Sequence, residues 1–170
     1  MAAKQIKLRA FETHDIHELH RWSNDPDAIR TVGRIPQTLE QIEKLVEKKR
    51  SRGDLCLAAE DGAGRLIGWV FLKDIEHDHG RAAIGILLAP EARGQGYGQI
   101  VMEQMIDIGF QQLRLNRIYL TTRGFNDRAI RLYEKIGFVI EGKLRQHAFM
   151  DGVYTDTYLM GLLASEWKQK

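Results

Sequence analysis

Between residues 4 and 11 apolar and polar positions alternate. Ile6, Leu8 and Ala10 fall on one face and Lys7 and Arg9 on the other, a period of two that predicts a first strand. The period then lengthens. Ile16, Leu19 and Trp22 recur at helical spacing behind Thr13 or Asp15, either of which can cap the segment. This helix is expected to end near Asn24-Asp25-Pro26. Thr38-Leu39-Glu40-Gln41 is a capping box, in which the Thr38 hydroxyl and the Gln41 amide satisfy orphan backbone donors. The helix behind it carries Leu39, Ile42, Leu45 and Val46 on one stripe and stops before Gly53. Residues 55–60 and 65–75 flank Asp61-Gly62-Ala63-Gly64, a hairpin signal. Beyond a turn region at 76–80, residues 82–89 are apolar with little polar relief, which predicts a central strand covered on both faces.

The second half is built differently. Residues 93–98 lead into a helical pattern with Ile100, Val101, Met105 and Ile108 on one side. Residues 117–123 read as a strand, and Asn126 caps a helix whose buried face is Ala129, Ile130 and Tyr133. Gly137 supplies the left-handed stop. Residues 138–141 and 154–163 complete the sheet, with Asp151-Gly152 as a turn between them. No linker and no repeat interrupts this order. A single mixed α/β domain over residues 1–170 is expected, with helices on both faces of one sheet.

Composition narrows the class. The 170 residues are 44% hydrophobic and 28% charged, which excludes low-complexity disorder. Lys and Arg total 25 against 23 Asp and Glu, so the net charge of +2 offers no bulk attraction for nucleic acid or an anionic membrane. The first eleven residues contain no apolar h-region, and no apolar run reaches the roughly 20 residues needed to span a bilayer. Cys56 is the only cysteine, which rules out an intramolecular disulfide and a cysteine-rich zinc site. A cytoplasmic protein is expected.

Three of the sixteen glycines fall in one place. Arg93-Gly94-Gln95-Gly96-Tyr97-Gly98 lies between a buried strand and an amphipathic helix. Glycine at alternate positions lets the backbone turn tightly and approach a ligand closely. The helix start offers unpaired N–H groups and the positive end of its dipole, so the loop suits an anion, with phosphate the natural candidate. Arg93 can add a charge-assisted contact. Gly98 is followed by Gln99, which departs from a P-loop, and the GxGxG spacing departs from the dinucleotide fingerprint GxGxxG. A glycine-rich connection without a ligand is the alternative.

Arg93-x-x-Gly96-x-Gly98 resembles motif A of the GCN5-related N-acetyltransferases, which bind acetyl-coenzyme A. The segment Asn126-Asp127-Arg128-Ala129-Ile130-Arg131-Leu132-Tyr133-Glu134-Lys135-Ile136-Gly137-Phe138 is similar to motif B of that family. Trp22-x-Asn24-Asp25-Pro26, Thr38-Leu39-Glu40, Glu141-Gly142-Lys143-Leu144-Arg145 and Asp151-Gly152-Val153-Tyr154-Thr155-Asp156 resemble the subgroup of ribosomal-protein alanine and spermidine acetyltransferases. The resemblance runs along nearly the whole chain. It implies one mostly antiparallel, twisted sheet of about seven strands, splayed at its central pair between residues 86–89 and 119–123. It also implies N-acetyl transfer from acetyl-coenzyme A to a primary amine by direct attack through a tetrahedral oxyanion, with no metal. The pyrophosphate would rest on Arg93, Gly94, Gln95, Gly96, Tyr97 and Gly98, and the pantetheine arm would pair with Leu87, Leu88 and Ala89. A backbone N–H near Leu88 would face the oxyanion. Asn126 and Ala129 would contact the coenzyme, and Tyr133 would contact it and protonate the leaving thiolate. Read from spacing alone, Tyr133 is a core aromatic beside Ile130 and Ile136, and Asn126 is a helix cap.

The general base has no assignment. Relatives often carry an acid in an E-I-G-I-like segment, where this chain has Ala83-Ile84-Gly85-Ile86. Glu76, Asp78, His79 and Asp25 are the remaining candidates. A polyamine acceptor calls for converging carboxylates, and Glu12, Asp15, Glu18, Asp25 and Asp27 cluster near the front, interrupted by Arg21, Arg30 and Arg34. A protein N-terminal amine, an amino-sugar or another small amine is equally allowed, and homodimerisation is open. His14, His17, His20, His77 and His79 read as solvated or capping residues, and Cys56 as a core thiol. The charged run from Glu43 to Arg50 reads as the solvated face of its helix. A non-catalytic acyl-coenzyme A sensor using the same cradle is the alternative function.

Overall fold

The computed structural model describes residues 5–32 and 35–167; Lys4, the expected start of the first strand, and Arg34 lie outside them. Seven strands form one sheet in the order β1-β2-β3-β4-β5-β7-β6. They are β1 (Ile6–Ala10), β2 (Leu55–Asp61), β3 (Leu66–Glu76), β4 (Arg81–Leu88), β5 (Arg117–Arg123), β6 (Val139–Met150) and β7 (Val153–Leu163). Every neighbouring pair is antiparallel except β4 with β5, which is parallel.

The front of the chain departs from the periodicity in one respect. After α1 (Ile16–Ser23) a second helix, α2 (Pro26–Val32), follows at once where only a stop was expected. Pro26 takes the first helical position, where its missing N–H costs nothing, and the Asp25 carboxylate accepts the Ala28 N–H at 3.2 Å. The stop signal was also a start signal. The entry to α1 is capped by neither Thr13 nor Asp15 alone, because Glu12 and Asp15 cap each other across a short turn. The capping box at Thr38 forms as expected, with Gln41 N–H at 3.3 Å and the reciprocal bond at 2.8 Å, and opens α3 (Leu39–Ser51).

Strand β6 runs to Met150, far past the expected end at residue 141. It is an edge strand, exposed along most of its length, and two register shifts bend it against β7. Its polar residues carry no burial pattern for sequence periodicity to detect. The remaining helices are α4 (Tyr97–Asp107), which continues into one wider turn over Ile108–Gln112, and α5 (Asp127–Ile136).

The core lies in two parts. Val101, Met102, Met105 and Ile106 of α4 pack on Val70, Leu72 and Ile118 of the sheet. Leu19, Ile42 and Val46 of α1 and α3 pack with Ala58 and Trp69 in the second cluster. Helices therefore cover both faces.

Candidate active site

The parallel pairing of β4 with β5 lasts for three positions, Arg81 with Arg117, Ala82 with Ile118 and Ala83 with Tyr119. Past Ala83 the strands separate, β4 continuing to Leu88 and β5 to Arg123. A cleft of about 750 Å³ opens at this splay, within the range of small-molecule sites.

The register of β3 on β4 fixes which peptide groups face that cleft. Ala89 N–H donates to Ile67 O at 2.9 Å, and Leu87 stands opposite Trp69. Peptide groups in an antiparallel pair turn alternately toward and away from the partner. Those of Leu87 and Ala89 are thus spent on β3, while those of Ile86 and Leu88 turn toward β5, where no strand pairs with them. Of the three residues expected to meet the pantetheine arm, only Leu88 offers its N–H on that side. Ile86 offers a second peptide and was missed, although strict alternation from Leu88 points to it. The Leu88 carbonyl is already occupied, accepting the Arg93 guanidinium at 3.2 and 3.3 Å.

The glycine loop lies beyond the end of β4. Gly94 and Gly96 have φ of 73° and 83°, and nothing lies within 4 Å of where a Cβ would stand. Their requirement for glycine is therefore conformational, with open space in front of the backbone. Gly96 is the N-cap of α4 and makes no side-chain cap bond. Gly98 is buried, and a Cβ there would come within 3.4 Å of both Leu88 and Leu132. Gln95 folds back to donate to Glu91 O at 2.6 Å. The Arg93 side chain does not enter the loop: it lies 2.5 Å from Asp25 and 3.1 Å from Asp27. This loop, with its open left-handed glycines and a helix start that no side chain caps, fits a phosphate-bearing ligand.

Asn126, Leu87 and Tyr133 line the cleft, whereas Ala129 sits in the first turn of α5 outside it. Asn126 Oδ1 accepts the Ala129 N–H at 3.2 Å, so the cap role is filled and the amide nitrogen remains as a donor. Tyr133 packs edge-on against Phe138, with ring centroids 6.0 Å apart, while lining the cleft. Burial pushes its phenol up to about 12, so it stays protonated near neutrality.

None of the four base candidates lines the cleft. Glu76 pairs with Arg81 at 3.0 Å, and Asp78 and His79 stand in the exposed turn before β4. Asp25 is held below the usual carboxylate range by its hydrogen bond from Arg93. Ala83, where relatives often carry an acid, is buried in the cleft wall opposite Lys73. The carboxylates that do line the cleft are Asp54 and Asp74, which sequence reading missed. Asp54 lies 3.2 Å from Lys49, and Asp74 lies 3.3 Å from Arg52 and 3.4 Å from Lys73.

Lys49 corrects the reading of α3 as carrying a solvated charged run. It is buried, with Nζ 3.8 Å above the Phe71 ring and bonded to Asp54. The aromatic face and the carboxylate together offset its desolvation. Phe71 in turn lies over Gly85, where a Cβ would fall 2.4 Å from the ring, so glycine there is required by close approach. Cys56 is half-buried, and burial raises its thiol, which suits a packing role.

A family profile described as "Acetyltransferase (GNAT) domain" matches residues 5–139. A spermidine N(1)-acetyltransferase of Vibrio cholerae is 32% identical over 165 residues, covering 96% of this chain and 95% of that protein. The L-amino acid N-acetyltransferase AaaT of Escherichia coli is 26% identical over 161 residues, covering 92% and 96%. The crystal structure of the Vibrio cholerae spermidine N-acetyltransferase with CoA and spermine superposes with a TM-score of 0.89 at 32% identity, covering 95% of this chain and 97% of that one.

Proposed function

This chain belongs to the GNAT family and is an acetyl-coenzyme A-dependent amine N-acetyltransferase, and we propose that the transfer is direct, performed by a single domain over residues 1–170 with Tyr133 as the proton donor. The observation that carries this reading is the splay after Ala83 and Tyr119, which leaves the Ile86 peptide and the Leu88 N–H without a strand partner on the side of β4 that faces β5, in a cleft that Ile86 and Tyr133 both line. Acetyl-coenzyme A supplies a thioester, whose carbonyl carbon takes the amine and whose sulfur leaves as thiolate.

The chain's own groups divide the remaining work. Backbone donors of residues 93–98 and the start of α4 hold phosphate. The N–H groups of Leu88 and Ile86 orient the pantetheine arm and face developing negative charge on the carbonyl oxygen, where fixed donors act without reorganising. The Asn126 amide nitrogen steadies the arm from the other side, with Ala129 behind it. Tyr133 releases its proton to the departing sulfur. A phenol pushed up to about 12 is a weak acid in water, but the same apolar surroundings raise the basicity of a thiolate beside it. Cys56 is not among the residues that line the cleft, which favours one ternary complex over a two-stage exchange through a cysteine.

A cytoplasmic location belongs to the same proposal; among the described residues no helix is long and apolar enough to cross a membrane. So does homodimerisation, supported by Phe149, Val153 and Tyr154, exposed by 60%, 58% and 67% at the β6–β7 turn. Light scattering on the wild type and on Phe149→Ser tests the dimer.

Thiol release with a panel of primary amines tests the transfer. Polyamines and amino acids, named for the two relatives above, head that panel. Tight coenzyme binding with no amine-dependent thiol release would overturn direct transfer by this site.

A further inference from the structure

Charge in the cleft is distributed unevenly. From α3 come Lys48 and Lys49, from its C-cap Arg52, from β3 Lys73, and from β5 Arg123. Against these five cations stand, among the described residues, only Asp54 and Asp74, and the Tyr133 phenol, pushed up to about 12 by burial, stays neutral. Both carboxylates are spoken for, by Lys49 and by Arg52 with Lys73. Arg123 donates to the Thr157 hydroxyl at 3.2 Å and the Val32 carbonyl at 3.3 Å and has no carboxylate in ion-pair contact among the described residues. Lys48 has no carboxylate in ion-pair contact among the described residues.

The acids near the front do not redress this balance. Asp15 is bonded to Arg9, Glu18 to Arg21, and Asp25 and Asp27 to Arg93, and none of them lines the cleft. Glu12 is spent on its capping box. A polycation would find no unpaired carboxylate here, and its charges would repel the wall.

This excess does not serve the pyrophosphate. Lys73 stands opposite Ala83, five residues before Leu88. At about 3.3 Å per residue that is roughly 17 Å from the end of β4, beyond which the glycine loop begins. Lys73, with Arg52 joined to it through Asp74, lies toward the closed end of the splay instead, whereas Arg123, four residues past Tyr119, stands on its open side.

On the premise that the cleft performs amine acetylation, we propose that the acceptor is a small amine carrying its own anionic group, a carboxylate or a phosphate, held by the cation wall of Lys48, Arg52 and Lys73. The same wall accounts for the missing acid at Ala83. Nearby cations disfavour the ammonium form, so an acceptor anchored by its anion presents a neutral amine without a dedicated carboxylate base. In the transfer the amine nitrogen bonds to the acetyl carbon, the carbon–sulfur bond breaks, the sulfur takes the Tyr133 proton, the proton lost by nitrogen passes to water, and water returns a proton to Tyr133.

Thiol release is measured for matched acceptors: glycine against glycinamide, phosphoethanolamine against ethanolamine, and spermidine. The carboxylate or phosphate member of a pair is expected to exceed its neutral isostere in kcat/KM by about tenfold or more, with spermidine below both. Which pair shows the preference identifies the anion. Lys73→Gln and Arg52→Gln are expected to raise KM for the anionic acceptor and shrink that ratio, while calorimetry shows coenzyme A binding unchanged. A neutral isostere or spermidine that performs as well as the anionic amine overturns the proposal, as does an unchanged ratio in both variants. Thiol release with no amine at all overturns direct transfer instead. Calorimetry with N-acetylglycine against N-acetylglycinamide then decides the anion preference alone, equal affinities counting against it.

Discussion

Arg93 and Asp25 join two parts of the molecule that the sequence keeps 68 residues apart, with guanidinium and carboxylate 2.5 Å from each other. The same guanidinium donates to the Leu88 carbonyl, so the start of α2 is tied to the end of β4 just before the glycine loop. Both side chains are largely buried, at 12% and 22% exposure.

Asp25→Asn leaves the Arg93 charge short of its partner in that setting. A loss of about 1–3 kcal/mol is expected, since one half of a hydrogen-bonded charge pair is removed. Thermal unfolding should record it as a fall of roughly 2–4 °C per kcal/mol for a chain of this size. Coenzyme A affinity should fall as well, because the loop loses its brace. The pair also has a pH signature. Asp25 is held below its ordinary value by Arg93, so its contribution is complete above the unfolded carboxyl pKa near 3.9 and is lost as pH falls through the lower folded value. Acid unfolding of the variant should show a shallower dependence in that window.

Tyr133→Phe should lower kcat by about 10²-fold or more, the usual scale for one positioned acid, with coenzyme A affinity unchanged. The phenol's position near 12 gives a second readout. The wild-type rate profile should have no descending limb from Tyr133 anywhere below about pH 11. A descending limb near pH 9 that vanishes in the Phe variant would assign the group a different protonation state. Burial of a neutral phenol also means that its stabilising effect, complete below about pH 10, fades as pH rises through the folded value.

How far the sequence could be read depends on what each feature rests on. The glycine loop, Asn126 and Gly137 were legible because backbone conformation restricts residue type there: Gly94 and Gly96 have positive φ, and Asn126 caps α5 through its own side chain. The splay was not derivable from periodicity, since residues 86–88 are as apolar as the paired part of β4. It came from family resemblance, and the register then showed that Ile86, not Leu87, turns its peptide outward. The cation wall was hidden for another reason. Lys48 and Arg52 lie one turn apart at the end of α3, and Lys73 lies on β3, so only folding brings them together. Lys49 looked like any solvated lysine until Phe71 and Asp54 were seen around it.

Gly96→Ala isolates the conformational part of the cradle. The Cβ meets nothing within 4 Å, so any effect comes from φ of 83°. About 1–2 kcal/mol is expected from placing an L side chain in the left-handed region. The coenzyme A dissociation constant, by calorimetry, should rise with it. Gly85→Ala makes a useful contrast, because there the cost is contact with the Phe71 ring. Phe71→Leu should relieve that cost in the double variant, and should do nothing for Gly96→Ala.

Lys73→Gln should move the pH profile of kcat as well as KM. Lys73 stands toward the closed end of the splay across from Ala83, with Asp74 at 3.4 Å as its close counter-charge, a carboxylate it shares with Arg52. Removing one positive charge from beside a bound amine makes the ammonium form less unfavourable, so the apparent pKa of the attacking amine rises. The ascending limb of the profile should therefore shift to higher pH in the variant. Two neighbouring outcomes separate the causes. A general loss of structure would lower kcat without moving the limb. A carboxylate base at Asp74 is separated by Asp74→Asn, which would abolish turnover if Asp74 took the amine's proton and would leave an ascending limb if the amine loses it to water. Arg52→Gln, which leaves Lys73 in place, should shift the limb in the same direction as Lys73→Gln, because both cations act on the amine through space and neither takes up its proton.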